Sequence, residues 1–260
     1  MNETEIRNQI IRKLSEIETQ EHVRILHAVE SGSRAWGFAS PDSDFDVRFI
    51  YIHEKDWYLK LNPERDVIEY QLDDVYDVNG WDLQKTLKLL YKSNPTVFEW
   101  SASPIVYQTS AYFQDFKKFL PEYFSPKTGA YHYLSTARHN YHAYCEKEQV
   151  RLKKYFYVIR PLLACYWILE YQTTPPMLFS DLRILPQAQE IEPLIDSLLE
   201  IKTQTSELGT GDKIPELDNW IHQQFEITEQ IIASAPEAEN RNWNKLNSAF
   251  LQSFLSWNNY

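Results

Sequence analysis

The sequence predicts an α+β fold in which a small α/β unit is followed by a helical domain. Three observations indicate this order. Short apolar runs rich in Val, Ile and aromatic residues are confined to the first part of the chain. Apolar residues at helical spacing dominate from about Tyr112 onward. The 260 residues are 43% hydrophobic and 24% charged, which is typical of a globular protein with a sizeable core.

The first part of the chain alternates between helical and strand patterns. Ile6, Ile10 and Leu14 share one helical face, and Ser31-Gly32-Ser33 forms a tight turn after the first apolar run. The predicted elements are a helix over 5–18, strands over 23–29, 45–52, 67–72 and 75–79, and a helix over 83–91 that ends before Asn94-Pro95.

The second part of the chain is predicted to be entirely helical. Proline and glycine residues divide it into segments. The predicted helices cover 111–120, 127–147, 150–171, 187–207, 215–234 and 240–256. A boundary near Ser103-Pro104 then gives two domains, 1–104 and 105–260.

Bulk properties exclude several classes of protein. Only two cysteines occur, without CxxC spacing, which favours a reducing cytoplasm over a disulfide framework or a zinc site. No apolar run approaches the roughly 20 residues that span a bilayer. The net charge of −11 disfavours strong nonspecific binding to nucleic acid, because such binding needs clustered Lys and Arg.

Asp44 and Asp46 form the most informative pair of acidic residues. They stand two residues apart at the start of a predicted strand, so both carboxylates point to the same side, roughly 7 Å apart along the chain. Magnesium binds few carboxylates together with water and phosphate oxygens. The pair is therefore a candidate site for Mg²⁺ or Mn²⁺.

The turn at Gly32-Ser33 supplies features that suit a phosphate group. Glycine permits close approach of the backbone, the serine hydroxyl can donate to an anion, and backbone N–H groups can surround phosphate oxygens. A turn of this kind eleven residues before a metal-binding acid pair has the parts that phosphoryl or nucleotidyl transfer requires.

Alternatives to this interpretation exist for the acid pair. An isolated Asp-x-Asp in an acidic protein is commonly part of a solvated loop. An EF-hand loop starting at Asp42 is excluded, because its sixth residue would be Val47 rather than Gly and its twelfth His53 rather than Glu.

The segment from Gly32-Ser33 to Asp44-Phe45-Asp46-Val47 resembles the signature of the polymerase-β-type nucleotidyltransferase superfamily. Further runs are similar to the YcgL-like, RNA-ligase-associated predicted nucleotidyltransferases, and this similarity spans about residues 25–180. These runs are Gly80-Trp81-Asp82-Leu83-Gln84-Lys85, Asn94-Pro95 with Glu99-Trp100, Ser103-Pro104-Ile105-Val106-Tyr107, and Lys153-Lys154-Tyr155-Phe156-Tyr157 with Arg160-Pro161.

The resemblance implies a mixed-sheet catalytic domain followed by the helical domain. It implies two-metal transfer of a nucleoside monophosphate from a nucleoside triphosphate such as ATP, dependent on Mg²⁺ or Mn²⁺. Gly32, Ser33 and Arg34 would bind the triphosphate. The acceptor is unidentified and could be an RNA end, a protein or a small molecule. The alternative is a catalytically inactive nucleotide-sensing or partner-binding module with the same fold.

The superfamily adds a third acid from a neighbouring strand. Asp82 is favoured because it lies in the matched run, and Asp77 in the preceding strand is the other candidate. Asp82 also has a purely structural interpretation, since Asp is a preferred N-cap for the helix that starts at Leu83.

The predicted second domain offers further candidates for nucleotide binding. Lys153, Tyr157 and Arg160 are spaced i, i+4, i+7 and would share one side of a helix, with Lys154 beside them. In this superfamily, cations of the helical domain reach the triphosphate. The alternative is a solvated face with salt bridges to Glu146 or Glu148. Pro161 is expected to kink this helix or to mark its first turn.

Overall fold

The computed structural model describes residues 3–40, 43–71, 75–204, 210–236 and 241–257. The chain forms two compact units. The first comprises Met1–Ala35, Asp44–Tyr123 and Asn240–Tyr260, and the second comprises Trp36–Ser43 and Phe124–Glu239. The α+β fold class predicted from the sequence is confirmed.

The first unit is built on a five-stranded mixed sheet with the order β3-β4-β2-β1-β5. Strands β2 and β4 run parallel, and the other neighbouring pairs are antiparallel. The strands are β1 (Val23–Glu30), β2 (Phe45–His53), β3 (Val67–Gln71), β4 (Tyr76–Asp82) and β5 (Val106–Thr109).

Helices accompany the sheet within the first unit. The longest, α1, buries Ile10, Leu14 and Ile17 in a core cluster with residues of the sheet such as Val47 and Phe49. The helices of this unit are α1 (Glu3–Glu21), α2 (Gly32–Ala35), α3 (Leu83–Tyr91), α4 (Pro95–Ala102), α5 (Ala111–Phe116), α6 (Leu120–Tyr123) and α13 (Trp243–Trp257).

The described part of the second unit is helical apart from one short two-stranded sheet, β6-β7. Its core surrounds α8, in which most residues are buried. The elements are α7 (Pro126–Tyr144), β6 (Gln149–Arg151), α8 (Phe156–Tyr171), α9 (Phe179–Leu182), α10 (Pro186–Gln189), α11 (Glu192–Gln204), β7 (Thr210–Asp212) and α12 (Pro215–Ser234).

Helix α8 accommodates an internal proline by means of a side chain from α7. Pro161 has no N–H to donate to the carbonyl of Tyr157, four residues earlier. That carbonyl instead accepts a hydrogen bond of 2.8 Å from the Asn140 side-chain amide. The helix therefore continues through Pro161, and the proline is not in its first turn.

Several expectations about the elements are corrected. The sequence analysis overlooked the strands β5, β6 and β7 and the helices α2, α4 and α9. Residues 150–155 form β6 and a 3-10 turn (Leu152–Tyr155) before α8, rather than the start of one long helix. The predicted strand over 67–72 ends at Gln71, and Leu72 lies outside the described residues.

The two compact units also divide the chain elsewhere than at residue 104. β5 pairs with β1, so the segment after Ser103-Pro104 remains in the first unit. Helix α13 belongs to that unit as well. Whether the two units are independent domains stays a prediction.

Candidate active site

Strand β2 presents Asp46 on the sheet face opposite to α1. Val47 and Phe49 are fully buried in the cluster with α1. Because side chains alternate along a strand, Asp46 and Arg48 project to the other face. Asp44 precedes β2 by one residue and is exposed. That its carboxylate points to the same side as that of Asp46 stays a prediction.

The turn at Gly32 lies directly against the Asp46 carboxylate. Gly32 has a φ of +58°, and a Cβ atom built on it would lie 2.0 Å from Asp46 Oδ2. The Ser31 N–H donates to the Asp46 carbonyl oxygen at 2.8 Å. Only glycine fits this close approach without moving the carboxylate, so the turn and the acid pair form one local structure.

Arg34 and Ser33, the other predicted triphosphate ligands in this turn, have different surroundings. The Arg34 Nε–H donates to the Asp44 carbonyl oxygen at 3.2 Å. The Arg34 guanidinium carbon lies 3.7 Å from the centroid of the Phe45 ring. This arrangement holds a positive charge beside the backbone of Asp44. Ser33 is only 7% exposed.

Negative charge accumulates around Asp46. Burial raises the pKa of Asp46, and the carboxylates of Asp77 and Asp44 raise it further, while the Arg48 guanidinium lowers it. Like charges in proximity make ionisation of each carboxylate less favourable. A bound cation would relieve this repulsion.

Asp77 is a further acidic residue that the fold brings next to Asp46. β2 and β4 are parallel, and the register places Asp77 opposite Asp46. Arg48 Nη2 donates to Asp46 Oδ1 at 2.9 Å and to Asp77 Oδ2 at 2.7 Å. Both carboxylates therefore lie within reach of one guanidinium.

This register argues against the preference for Asp82 over Asp77, and which acid completes the site stays a prediction. Asp82 lies opposite Tyr51, five residues along the strand from the pair of Asp46 and Asp77, or about 16 Å at the usual rise per residue. Asp77 and Asp82 are five positions apart, an odd number, so the two side chains leave β4 on opposite faces. Asp82 is not part of the acid cluster.

Asp82 has a structural role at the start of α3. Its Oδ1 accepts the Gln84 N–H at 2.7 Å, which is an N-cap. Its Oδ2 accepts the Tyr58 hydroxyl at 2.6 Å. Burial raises the pKa of Asp82 to about 6, although the hydrogen bonds from Tyr58 and Gln84 lower it.

Glu30 is a residue of this region that the sequence analysis missed. It is 1% exposed, its Oε1 accepts the Asp46 N–H at 2.7 Å, and its Oε2 accepts the Tyr107 hydroxyl. Burial raises the pKa of Glu30 to about 7. An acidic residue that ends an apolar strand immediately before Ser31-Gly32 was the signal in the sequence.

The predicted nucleotide-binding residues of the second unit are only partly on one helix. Lys153 and Lys154 lie in the 3-10 turn before α8, whereas Tyr157 and Arg160 lie in the helix. A 3-10 turn has about three residues per turn, so the expected i, i+4, i+7 alignment does not extend back to Lys153.

The side chains of these residues are arranged as follows. Lys154 Nζ lies 4.2 Å from the ring centroid of Tyr144 and 4.6 Å from that of Tyr157. Arg160 is 3% exposed, and its guanidinium carbon lies 4.5 Å from the ring centroid of Trp36. The expectation of a solvated face does not hold for Arg160. That these residues bind nucleotide stays a prediction.

The chemistry of Asp44 and Asp46 fits a hard divalent cation. Two carboxylates, one of them seated against the Gly32 backbone, are the kind of partial ligand set that Mg²⁺ or Mn²⁺ completes with water and phosphate oxygens. Among the described residues, no group of three or more His, Cys, Asp and Glu side chains is arranged to hold a metal ion. Asp44 and Asp46 are therefore suited to bind a metal ion together with water and phosphate oxygens, rather than to enclose it with protein ligands alone.

A mixed sheet that places an Asp-x-Asp pair beside a Gly-Ser turn is an arrangement of the nucleotidyltransferase type. The family model described as "RlaP: RNA repair pathway DNA polymerase beta family" matches residues 6–252. The chain belongs to this family, which confirms the resemblance to polymerase-β-type nucleotidyltransferases.

Individual proteins are also similar to this chain. "Uncharacterized protein YcgL" of Bacillus subtilis (strain 168) is 44% identical over 225 residues, which is 85% of this chain and 86% of that protein. The crystal structure of a nucleotidyltransferase-like protein from Exiguobacterium sibiricum 255-15 is 16% identical, covering 86% of this chain and 75% of that one, with a TM-score of 0.32. At that TM-score the likeness supports no conclusion about this chain.

Within the described ranges, no helix combines the length and the apolar character needed to cross a membrane.

Proposed function

We propose that this protein is a metal-dependent nucleotidyltransferase that moves a nucleoside monophosphate from a nucleoside triphosphate to an acceptor. One observation carries the proposal: the Asp46 carboxylate lies against Gly32, within a turn that also contains Ser33 and Arg34. A carboxylate pair for a cation and a turn suited to phosphate are thereby adjacent.

Asp44 and Asp46 would hold Mg²⁺ or Mn²⁺. The bound ion supplies neutralisation of the charge on the transferred phosphoryl group. The Gly32 backbone, the Ser33 hydroxyl and the Arg34 guanidinium would hold the triphosphate, because N–H, O–H and guanidinium donors match phosphate oxygens. Arg34 already donates to the backbone of Asp44, so its position is tied to that of the metal-binding pair.

Glu30 supports the site from within the sheet. Its carboxylate accepts the Asp46 N–H and is itself held by the Tyr107 hydroxyl. Such outer contacts fix the orientation of a residue that binds a metal. We assign Glu30 the role of a positioning residue for Asp46.

The description of the matched family names an RNA repair pathway, which supports our proposal of an RNA end as the acceptor. The net charge of −11 favours a local contact with RNA over an extended basic surface. Lys153, Lys154, Tyr157 and Arg160 remain proposed nucleotide ligands. A cytoplasmic location fits the proposal, because Cys145 and Cys165 are both buried free thiols.

A labelling experiment tests the proposed function. The protein is incubated with each α-labelled nucleoside triphosphate, Mg²⁺ or Mn²⁺, and either a defined RNA or a cell extract. Label is then sought in RNA, protein and small molecules. We expect label on RNA, and we expect Asp44→Asn and Asp46→Asn to abolish transfer while leaving the fold intact.

Asp115→Asn is the matched control, because Asp115 is a highly exposed residue that pairs only locally with Lys118. It makes the same chemical change and should leave transfer unaltered. Label in protein or small molecules would support nucleotidyl transfer but show that the acceptor is not an RNA end. Triphosphate binding without transfer under every condition would refute the proposal in favour of a nucleotide-sensing module. Unchanged turnover in Asp44→Asn or Asp46→Asn would refute the assignment of the metal ligands.

A further inference from the structure

A cavity of about 400 Å³ lies in the first unit, near the end of β2 that is remote from Asp46. Residues from the end of α1, from β2 and β3, and from the segment between these two strands line it. Tyr51, one of these residues, is five positions from Asp46 on β2, so the two side chains leave the strand on opposite faces. The cavity is therefore separate from the candidate active site, and its volume is that of a site for a small molecule.

The Tyr51 hydroxyl is the feature of this cavity that points to a ligand. The side chain is 0% exposed, and among the described residues its hydroxyl oxygen has no hydrogen-bond partner. Buried tyrosine hydroxyls usually have a partner, because one without a partner is costly. Burial is the main cause that raises the pKa of Tyr51, and the charges of Glu21 and Arg65 also act on it. Both of these residues line the cavity, and a ligand there would supply the missing partner.

The charges of the lining favour a cation. Glu21, Glu64 and Glu69 contribute three carboxylates, against the single guanidinium of Arg65. Arg65 pairs with Glu69, and Lys60, which is not a lining residue, contacts Glu64 at 3.2 Å. The carboxylate that remains for a ligand is therefore that of Glu21.

Glu21 lies where a positive charge is most favourable. It accepts a hydrogen bond of 2.6 Å from the neutral Tyr70 hydroxyl. It is also the last residue of α1, and the last turn of this helix contains no basic residue. Since the carboxyl end of a helix carries a partial negative charge, a cation beside Glu21 would interact with both the side chain and the helix end.

Aromatic rings complete the lining. The rings of His53 and Trp57 stack with centroids 4.0 Å apart and an angle of 12° between their planes. Burial lowers the pKa of His53 to about 4, so its ring is neutral at pH 7 and does not repel a cation. Aromatic faces attract ammonium groups and also pack against apolar groups.

We propose that this cavity binds a small organic cation whose primary ammonium group lies between the Glu21 carboxylate and the Tyr51 hydroxyl. The ammonium donates to both oxygens, because a tyrosine hydroxyl can accept as well as donate. The apolar part of the ligand contacts the rings of His53 and Trp57. The excess of carboxylates disfavours phosphate-bearing ligands, so binding here is independent of the proposed function and of its triphosphate.

Titration of the full-length protein with phenethylammonium chloride, followed by ligand-observed NMR, tests this inference. We expect saturable binding to wild type, and binding of 2-phenylethanol at least 10-fold weaker, because the hydroxyl replaces the charged group. Tyr51→Phe and Glu21→Gln should each weaken phenethylammonium binding roughly 10-fold or more, through loss of a charge-assisted hydrogen bond. Without ligand, Tyr51→Phe should not lower the melting temperature, since the removed hydroxyl has no hydrogen bond to lose.

Glu226→Gln is the matched control. Glu226 is exposed on α12 in the second unit and does not line the cavity. It removes the same charge as Glu21→Gln and should leave phenethylammonium affinity within about twofold of wild type. An equal loss in Glu226→Gln would show general attraction to an acidic protein and overturn the inference. No saturable binding, equal binding of 2-phenylethanol, or unchanged affinity in a folded Tyr51→Phe or Glu21→Gln would each overturn it as well.

Discussion

Replacement of Asp82 by Asn should change how stability depends on pH while leaving activity in place. The wild-type carboxyl is 1% exposed, and burial raises its pKa from 3.8 to about 6. The folded state therefore binds this proton more tightly than the unfolded state does. The contribution of Asp82 to stability is greatest below pH 4, falls as the pH rises through 6, and stays low above that value.

The size of the effect follows from the shift in pKa. A shift of about two units corresponds to about 3 kcal/mol between the protonated and ionised limits. The asparagine side chain cannot ionise, so the free energy of unfolding of Asp82→Asn relative to wild type should rise by about 2 kcal/mol between pH 4, where the unfolded carboxyl is already partly ionised, and pH 7.5. A constant offset is also expected, because Asn retains the N-cap but leaves the Tyr58 hydroxyl proton without its carboxylate acceptor, at a cost of about 1–3 kcal/mol.

Urea unfolding followed by tryptophan fluorescence at several pH values measures this difference. Only the pH dependence of the difference between variant and wild type is used, so that other titrating groups such as His27 cancel. If the free energy of unfolding depends on pH in the same way in both proteins, the argument that the Asp82 carboxylate is desolvated is refuted. Loss of nucleotidyl transfer by several orders of magnitude in a stable Asp82→Asn would instead return Asp82 to the active site.

Three other substitutions give distinct outcomes. Gly32→Ala should weaken Mn²⁺ binding at least 10-fold when free Mn²⁺ is followed by electron paramagnetic resonance, because the added Cβ would lie 2.0 Å from Asp46 Oδ2. Gly37 also has a positive φ, but a Cβ there would face the flexible side chain of Leu178. Gly37→Ala should therefore lower only the melting temperature. Asn140→Ala should lower the free energy of unfolding by about 1–3 kcal/mol, since it removes the side-chain donor to the carbonyl of residue 157. In a double-mutant cycle, Asn140→Ala should cost less in the Pro161→Ala background, where residue 161 has a backbone N–H that can donate to the same carbonyl. Arg160→Ala should lower the free energy of unfolding by about 1.5–3 kcal/mol, because it removes a buried charged hydrogen bond to the Met177 carbonyl. Titration calorimetry with a non-hydrolysable triphosphate tests whether Arg160 also binds nucleotide. Unchanged triphosphate affinity in a folded variant would exclude Arg160 from the site.

The sequence was sufficient for elements with strong patterns. The helix over 83–91 was predicted with the bounds that the structure gives, because its apolar spacing begins after an Asp and stops before Asn94-Pro95. The strand over 45–52 was predicted to within one residue. In contrast, β5 has four residues, none of them buried, and so it lacks the alternation by which short strands are recognised.

The sequence could not show which acidic residue of β4 lies beside Asp46, because that depends on strand register. Asp77 and Asp82 both lie in β4, and only the pairing of β4 with β2 shows which one is opposite Asp46. A pattern of residues in one segment carries no information about that pairing. The contact between Arg48 and Asp77 is non-local for the same reason. Motif similarity favoured Asp82, whereas strand geometry favours Asp77.

The order of the segments along the chain has a consequence for synthesis on the ribosome. The unit that contains the acid cluster also includes α13, where the Ala249 carbonyl accepts the Tyr112 hydroxyl and Phe250 packs against Tyr58. The ribosome releases the entire second unit before it releases this helix. The first unit therefore stays incomplete, with Tyr58 and Tyr112 lacking their contacts to α13, until that helix emerges. A nascent chain stalled near residue 239 should be bound by chaperones through its N-terminal unit, although that unit was made first.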